Sequence, residues 1–123
     1  MTSTQPIACD FTAIEKEERE IHKQNSEEVF ESVVDWQEVA DGYTFQLPTQ
    51  TDIIEKAGAF IARERLCCPF FTFNLEVTPN RGPVWLTMTG NEEVKSYIKQ
   101  NVIAQIQNKG ADDNWELPGD RDE

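Results

Sequence analysis

Runs of alternating apolar and polar residues recur along the chain, separated by stretches in which apolar residues return every three or four positions. Tyr43, Phe45 and Leu47 alternate with Thr44 and Gln46 behind an Asp41-Gly42 dipeptide, the pattern of a hairpin turn entering a half-buried strand. Pro48 stops that run. Phe71, Phe73, Leu75 and Val77 alternate with Thr72, Asn74 and Glu76, and after the turn PNRGP, Val84, Leu86 and Met88 alternate with Trp85, Thr87 and Thr89.

The intervening stretches have helical spacing. Thr12 followed by Glu15 is a capping-box signature, and it predicts a first helix to about Phe30 with Ile14, Ile21, Val29 and Phe30 as a thin apolar stripe. Thr49 or Thr51 can cap a second helix carrying Ile53, Ile54, Ala57, Phe60 and Ile61, which Pro69 ends near Cys67. Asn91 is the expected cap of a third, carrying Val94, Tyr97, Ile98, Val102 and Ile106 and ending before Gly110. Since each strand has one apolar and one polar face, the expected fold is α+β and two-layered. Its four-stranded antiparallel sheet carries three helices mainly on one face, in the order α-ββ-α-ββ-α. The two strand-strand-helix units share an order of parts: Glu38-Val39 answers to Glu76-Val77, and Phe60-Ile61 to Tyr97-Ile98, as a duplicated unit or convergent patterning would give.

A chain of 123 residues suits one domain, here expected over residues 1–108, with 109–123 an acidic flexible tail rich in Gly, Pro, Asp and Asn. Asp and Glu outnumber Lys and Arg 23 to 11, a formal charge of −12, and no basic stripe interrupts the excess. Nucleic acid and anionic membrane surfaces are therefore poor partners. No signal-peptide pattern and no apolar run of membrane-spanning length is present, so the expected location is the cytoplasm. Three cysteines, an odd number without an even framework, point to reduced thiols rather than structural disulfides.

Chemistry concentrates in RERLCCPFFTF, residues 63–73. Cys67 and Cys68 fall where the second helix gives way to the sheet. The negative end of a helix dipole opposes thiolate formation there, while Arg63 and Arg65 would favour it if they reached the sulfurs. Adjacent cysteines do not readily bond to each other, but both can meet a third. Cys9, packed near the end of the second helix, would complete a Cys9, Cys67, Cys68 set suited to a thiophilic metal ion. His22 could supply a fourth ligand, but it lies more than three helical turns from Cys9 and is expected to be too distant. The spacing matches no zinc pattern. Glu64, three and four residues before the cysteines, is the carboxylate to watch, with Arg65 or Arg19 as its expected ion-pair partner. Trp85 projects from a polar strand face; joined by Trp36 across the sheet it would form an interaction surface for a protein partner or a second copy, and the tail with Trp115 is the alternative surface. There is no P-loop, dinucleotide fingerprint, nucleophile elbow or zinc-protease helix, which weighs against an enzyme.

The segment from Glu64 to Phe73, with DGYTFQL upstream and VWLTMTGNEEVKSYI downstream, resembles a family of small uncharacterised bacterial proteins with an E-R-x-C-C-P-F-x-x-F motif. The likeness covers roughly residues 7 to 100, and the family carries a further cysteine near the N-terminus, where this chain has Cys9. It implies a common fold and a shared cysteine corner but brings no established activity. Three readings follow from the residues. The cysteines bind or sense a soft metal or metalloid; or they are structural parts of a non-enzymatic interaction module; or they form a thiol oxidoreductase, which needs one exposed cysteine of low pKa and a resolving neighbour.

Overall fold

In the computed structural model, which describes residues 9–106, the alternating runs form one antiparallel sheet. Its strands are β1 (Asp35–Val39), β2 (Gly42–Leu47), β3 (Thr72–Val77) and β4 (Val84–Thr89). Their spatial order is β1-β2-β4-β3, so the second strand of each hairpin lies inside and pairs with its counterpart. With helices α1 (Arg19–Glu31), α2 (Thr51–Cys67) and α3 (Glu92–Ile98), the architecture is the α-ββ-α-ββ-α arrangement expected from the pattern.

Register assigns the faces. Trp36 opposes Phe45, and Leu86 opposes Phe45 on one side and Leu75 on the other, so these four share a face. On it Phe45, Leu47, Val84, Leu86 and Met88 are buried. Val29 of α1 and Ala57 and Phe60 of α2 pack against Leu47, Val84 and Leu86, while Val94 and Ile98 of α3 pack against Tyr43, Phe45 and Met88. Burial of an apolar side chain of this size contributes about 1.5–3 kcal/mol, and these contacts fix the helices to one side of the sheet. The opposite face carries Gln37, Thr44, Thr87 and Asn74 in register, with Thr44 Oγ1 and Thr87 Oγ1 hydrogen-bonded at 2.7 Å. Trp85 is on that face between Gln46 and Glu76. Trp36, by contrast, sits on the helix side against Tyr43, with ring centroids 5.9 Å apart, so the two tryptophans do not form the expected joint patch. Parity is the cause: pairing with Phe45 commits Trp36 to the core face. Trp115 and the tail lie outside the described residues.

The helix termini depart from the pattern in three places. Residues expected to begin the first helix form two 3-10 turns, Phe11–Ala13 and Lys16–Glu18, and the backbone of Thr12 is capped by the side chain of Asp10 rather than capping Glu15. Gln50 stands at the start of α2 and makes no side-chain cap, whereas Asn91 does cap α3, its Oδ1 accepting from Val94 N at 2.9 Å. Past α3 the helix widens into a π turn, Lys99–Ile103, which buries Ile103 and leaves Val102 half-buried. A five-residue step from Ile98 replaces the four-residue step that spacing predicts.

Candidate functional site

The break at residues 9–18 builds the site. Because the chain folds back through the two 3-10 turns, Cys9 reaches the C-terminal end of α2, where Asp10 N donates to Cys67 O at 2.7 Å. Ile14, 1% exposed, anchors the same segment in the core. At the other side Pro69 and the Cys68 N to Glu64 O bond of 2.8 Å close α2 and turn the chain toward β3.

Cys9 and Cys68 are joined by a disulfide, with Cα atoms 4.6 Å apart, and Cys67 is the free cysteine. This corrects the expectation of three reduced thiols: the odd count leaves one thiol over instead of excluding a bond. The three sulfurs do converge, with Cys67 Sγ 3.5 Å from Cys68 Sγ. Cys9 is exposed and receives a hydrogen bond from Tyr97 OH at 3.3 Å, whereas Cys67 and Cys68 are 3% and 1% exposed.

Glu64 faces all of this from one turn earlier in α2. Its Oε2 is 3.3 Å from Cys68 Sγ and its Oε1 is 3.6 Å from Cys67 Sγ. The Cys68 sulfur, being bonded, has no proton to donate; the Cys67 thiol does. Glu64's partner is neither Arg65 nor Arg19 but His22, whose Nε2 donates to Oε1 at 2.8 Å. An ionised carboxylate only accepts, so this bond places the imidazole proton on Nε2. The ring lies flat against Phe60, centroids 5.8 Å apart, and its Nδ1 has no hydrogen-bond partner although it is buried. His22 was expected on a solvated helix surface, too far from Cys9 to join it. It is 3% exposed and belongs to the site, because α1 starts only at Arg19 and aims His22, Asn25 and Val29 inward. The spacing of those three residues was visible in the sequence; the polarity of the first two concealed it.

The flanking arginines do not reach the sulfurs. Arg63 donates through Nε to Glu18 Oε1 at 3.0 Å, and Arg65 is exposed. Arg19 donates to backbone oxygens of Ile14 and Thr12. Burial first, then the charge of Glu64 and its hydrogen bond, push the Cys67 thiol up to about 12 from an ordinary value of 9.0, outweighing a backbone hydrogen bond that acts the other way. Burial also raises Tyr97, helped by Glu64 and Cys67, which keeps its hydroxyl a donor toward Cys9.

Cys9, Phe11, His22, Glu64, Cys67 and Cys68 line one cleft of about 330 Å³. Two donor triads fall in it, Cys9 with Glu64 and Cys68, and His22 with Glu64 and Cys67, the ligand atoms in each within 4.8 Å of one another. These residue types are those that thiophilic ions take, but the Cys9–Cys68 bond occupies both sulfurs of the first triad and leaves Cys67 as the free thiol. No described helix is long and apolar enough to cross a membrane. No protein-family model, curated protein or solved structure matches the chain.

Proposed function

We propose that this domain is a redox-responsive cysteine site, in which a reversible Cys9–Cys68 bond closes the sulfurs and its reduction opens them to a soft metal or metalloid. One observation carries the reading: an exposed cysteine is bonded to a buried one, and a third sulfur stands 3.5 Å behind. Cys9 is the accessible end. An external low-molecular-weight thiol, as thiolate, attacks Cys9 Sγ; the Cys68 sulfur leaves as a thiolate beside Glu64, 3.3 Å away, and takes from water the proton that the external thiol released. A second external thiol then displaces the Cys9 thiol from the mixed disulfide and departs as the external disulfide, so two electrons and two protons pass to the protein. The high pKa of Cys67 withholds it from this exchange, which favours sensing or binding over oxidoreductase turnover.

A second reading, favoured by the burial of Cys67 and Cys68 in the core, makes the bond a permanent clamp within an interaction module. Equilibration of the native protein in graded thiol–disulfide buffers, followed by alkylation and mass analysis, separates the two. A reversible midpoint above about −300 mV, with Cys9 and Cys68 labelled together, supports the switch. Thiols that appear only on unfolding would leave the clamp.

A further inference from the structure

Glu64 is common to both donor triads, and the two buried sulfurs stand beside its carboxylate at separations close to the edges of a coordination sphere. In a tetrahedral site with metal–sulfur bonds of about 2.3 Å and metal–oxygen bonds of about 2.1 Å, neighbouring sulfurs lie about 3.8 Å apart and a sulfur and an oxygen about 3.6 Å apart. Here Cys67 and Cys68 are 3.5 Å apart, with Glu64 Oε1 3.6 Å from Cys67 Sγ and Oε2 3.3 Å from Cys68 Sγ, so a turn of the carboxylate brings one oxygen to face both sulfurs. We infer that the reduced site takes a divalent, tetrahedral, thiophilic cation of the zinc and cadmium class through Cys9, Cys67, Cys68 and Glu64, with His22 as the positioning residue. The inference rests on the proposed reading that the reduced form is the open one, and adds to it the class of ion and the fourth ligand.

Two features of the chain support this donor set. Ligating carboxylates are themselves held by hydrogen bonds, and His22 Nε2 holds Oε1 from a ring fixed against Phe60. Cys9 does not depend on the disulfide for its place, since the Asp10 N to Cys67 O bond and buried Ile14 keep its segment at the end of α2. A trivalent metalloid such as arsenic in arsenite would use the three sulfurs alone and make no demand on Glu64.

That difference is the test. Protein reduced in denaturant and refolded without oxygen carries three thiols whether or not the native disulfide opens, so ion binding and disulfide opening are read separately. Cd2+ and arsenite are titrated into wild type and Glu64→Gln, Cd2+ binding being followed by sulfur-to-metal charge-transfer absorbance and arsenite by intact mass. Glu64→Gln is expected to weaken Cd2+ about 10- to 100-fold and leave arsenite within about threefold. Should that variant not fold, His22→Leu, which removes the hydrogen bond holding the carboxylate, is expected to weaken Cd2+ about tenfold and spare arsenite. Equal loss of both ions, or none, overturns Glu64 as a ligand while the trithiol site stands. Failure of reduced wild type to bind either ion overturns the ion-binding reading as a whole. Tight Cd2+ binding by refolded protein whose native disulfide resists reduction upholds the ligands and overturns the switch.

Discussion

Replacing Cys9 by serine isolates the contribution of the cross-link from that of packing. Cys9 is exposed, so the change opens no cavity, and a serine hydroxyl can still meet Tyr97 OH. What is lost is the closure of a loop whose ends are 59 residues apart. Chain-entropy reasoning for a loop of that length gives about 14 cal/mol/K, or about 4 kcal/mol at 25 °C, chiefly through the freedom regained by the unfolded chain. With a urea slope of about 2 kcal/mol/M, the unfolding midpoint of Cys9→Ser is expected about 2 M below that of oxidised wild type. Tryptophan fluorescence reports the transition, with Trp36 packed on Tyr43 as the reporter. Wild type unfolded in strong reductant should coincide with the mutant, because both then lack the same bond. A reduced wild type whose midpoint stays at the oxidised value would refute the argument: either the bond is absent from the native protein, or residual structure in the denatured chain already keeps residues 9 and 68 together.

Glu64→Gln removes the charge that helps to hold Cys67 up to about 12, so the thiol pKa should fall and native-state alkylation of Cys67 at a fixed mildly alkaline pH should accelerate. The same shift has a sign for stability: the folded pKa exceeds the ordinary value of 9.0, so the native state holds this proton more tightly and its advantage, intact below pH 9, is lost as pH rises toward about 12. Urea midpoints measured across that window should fall with pH, less steeply in Glu64→Gln, and a parallel slope would count against the role given to Glu64. Gly42→Ala places a methyl against the Met88 carbonyl in the central strand pair, an overpacking expected to cost about 1–3 kcal/mol in a thermal melt. Phe60→Ala removes a ring packed edge-on to Phe30 and Phe73 and flat on His22; a loss of about 3–5 kcal/mol in chemical unfolding is expected, with faster alkylation of Cys67 as His22 and Glu64 loosen.

The strands were legible because alternation survives any change in tertiary surroundings that leaves one face buried. Tyr43, Phe45 and Leu47, and Val84, Leu86 and Met88, are buried residue for residue as their period requires. On the edge strand the same pattern fades, and Val77 is 55% exposed, since β3 has a partner on one side only. The first helix was overextended because a capping-box pair says nothing about a competing acceptor: Asp10, two residues before Thr12, takes the backbone donor instead. Cys9, Cys67 and Cys68 were read together from the adjacency of two and the packing expected of the third. The bond between Cys9 and Cys68 was not, because oxidation depends on a distance that sequence separation does not encode. His22 was placed on the surface by the charge of its neighbours, and only the inward turn of Asn25 and Val29 reveals the face it shares.

The position of the cysteines at the end of α2 now has a physical sense that the motif alone did not give. Carbonyl groups at a helix C-terminus, the carboxylate of Glu64 and burial all oppose a bare thiolate, and the nearby arginines are engaged elsewhere or exposed. Sulfur nucleophiles are poised in the opposite way, at helix N-termini or beside cations. Cys67 resists losing its proton to water, and beside two further sulfurs and a carboxylate it would give that proton up once something compensated the charge. A covalent bond does so for Cys9 and Cys68, and a cation would do so for all four donors, turning the repulsion between Glu64 and Cys67 into joint attraction. The buried Nδ1 of His22, left without a partner while Nε2 holds Glu64, fits the same picture: the imidazole is spent on aiming the carboxylate at the sulfurs rather than on satisfying its own hydrogen bonds.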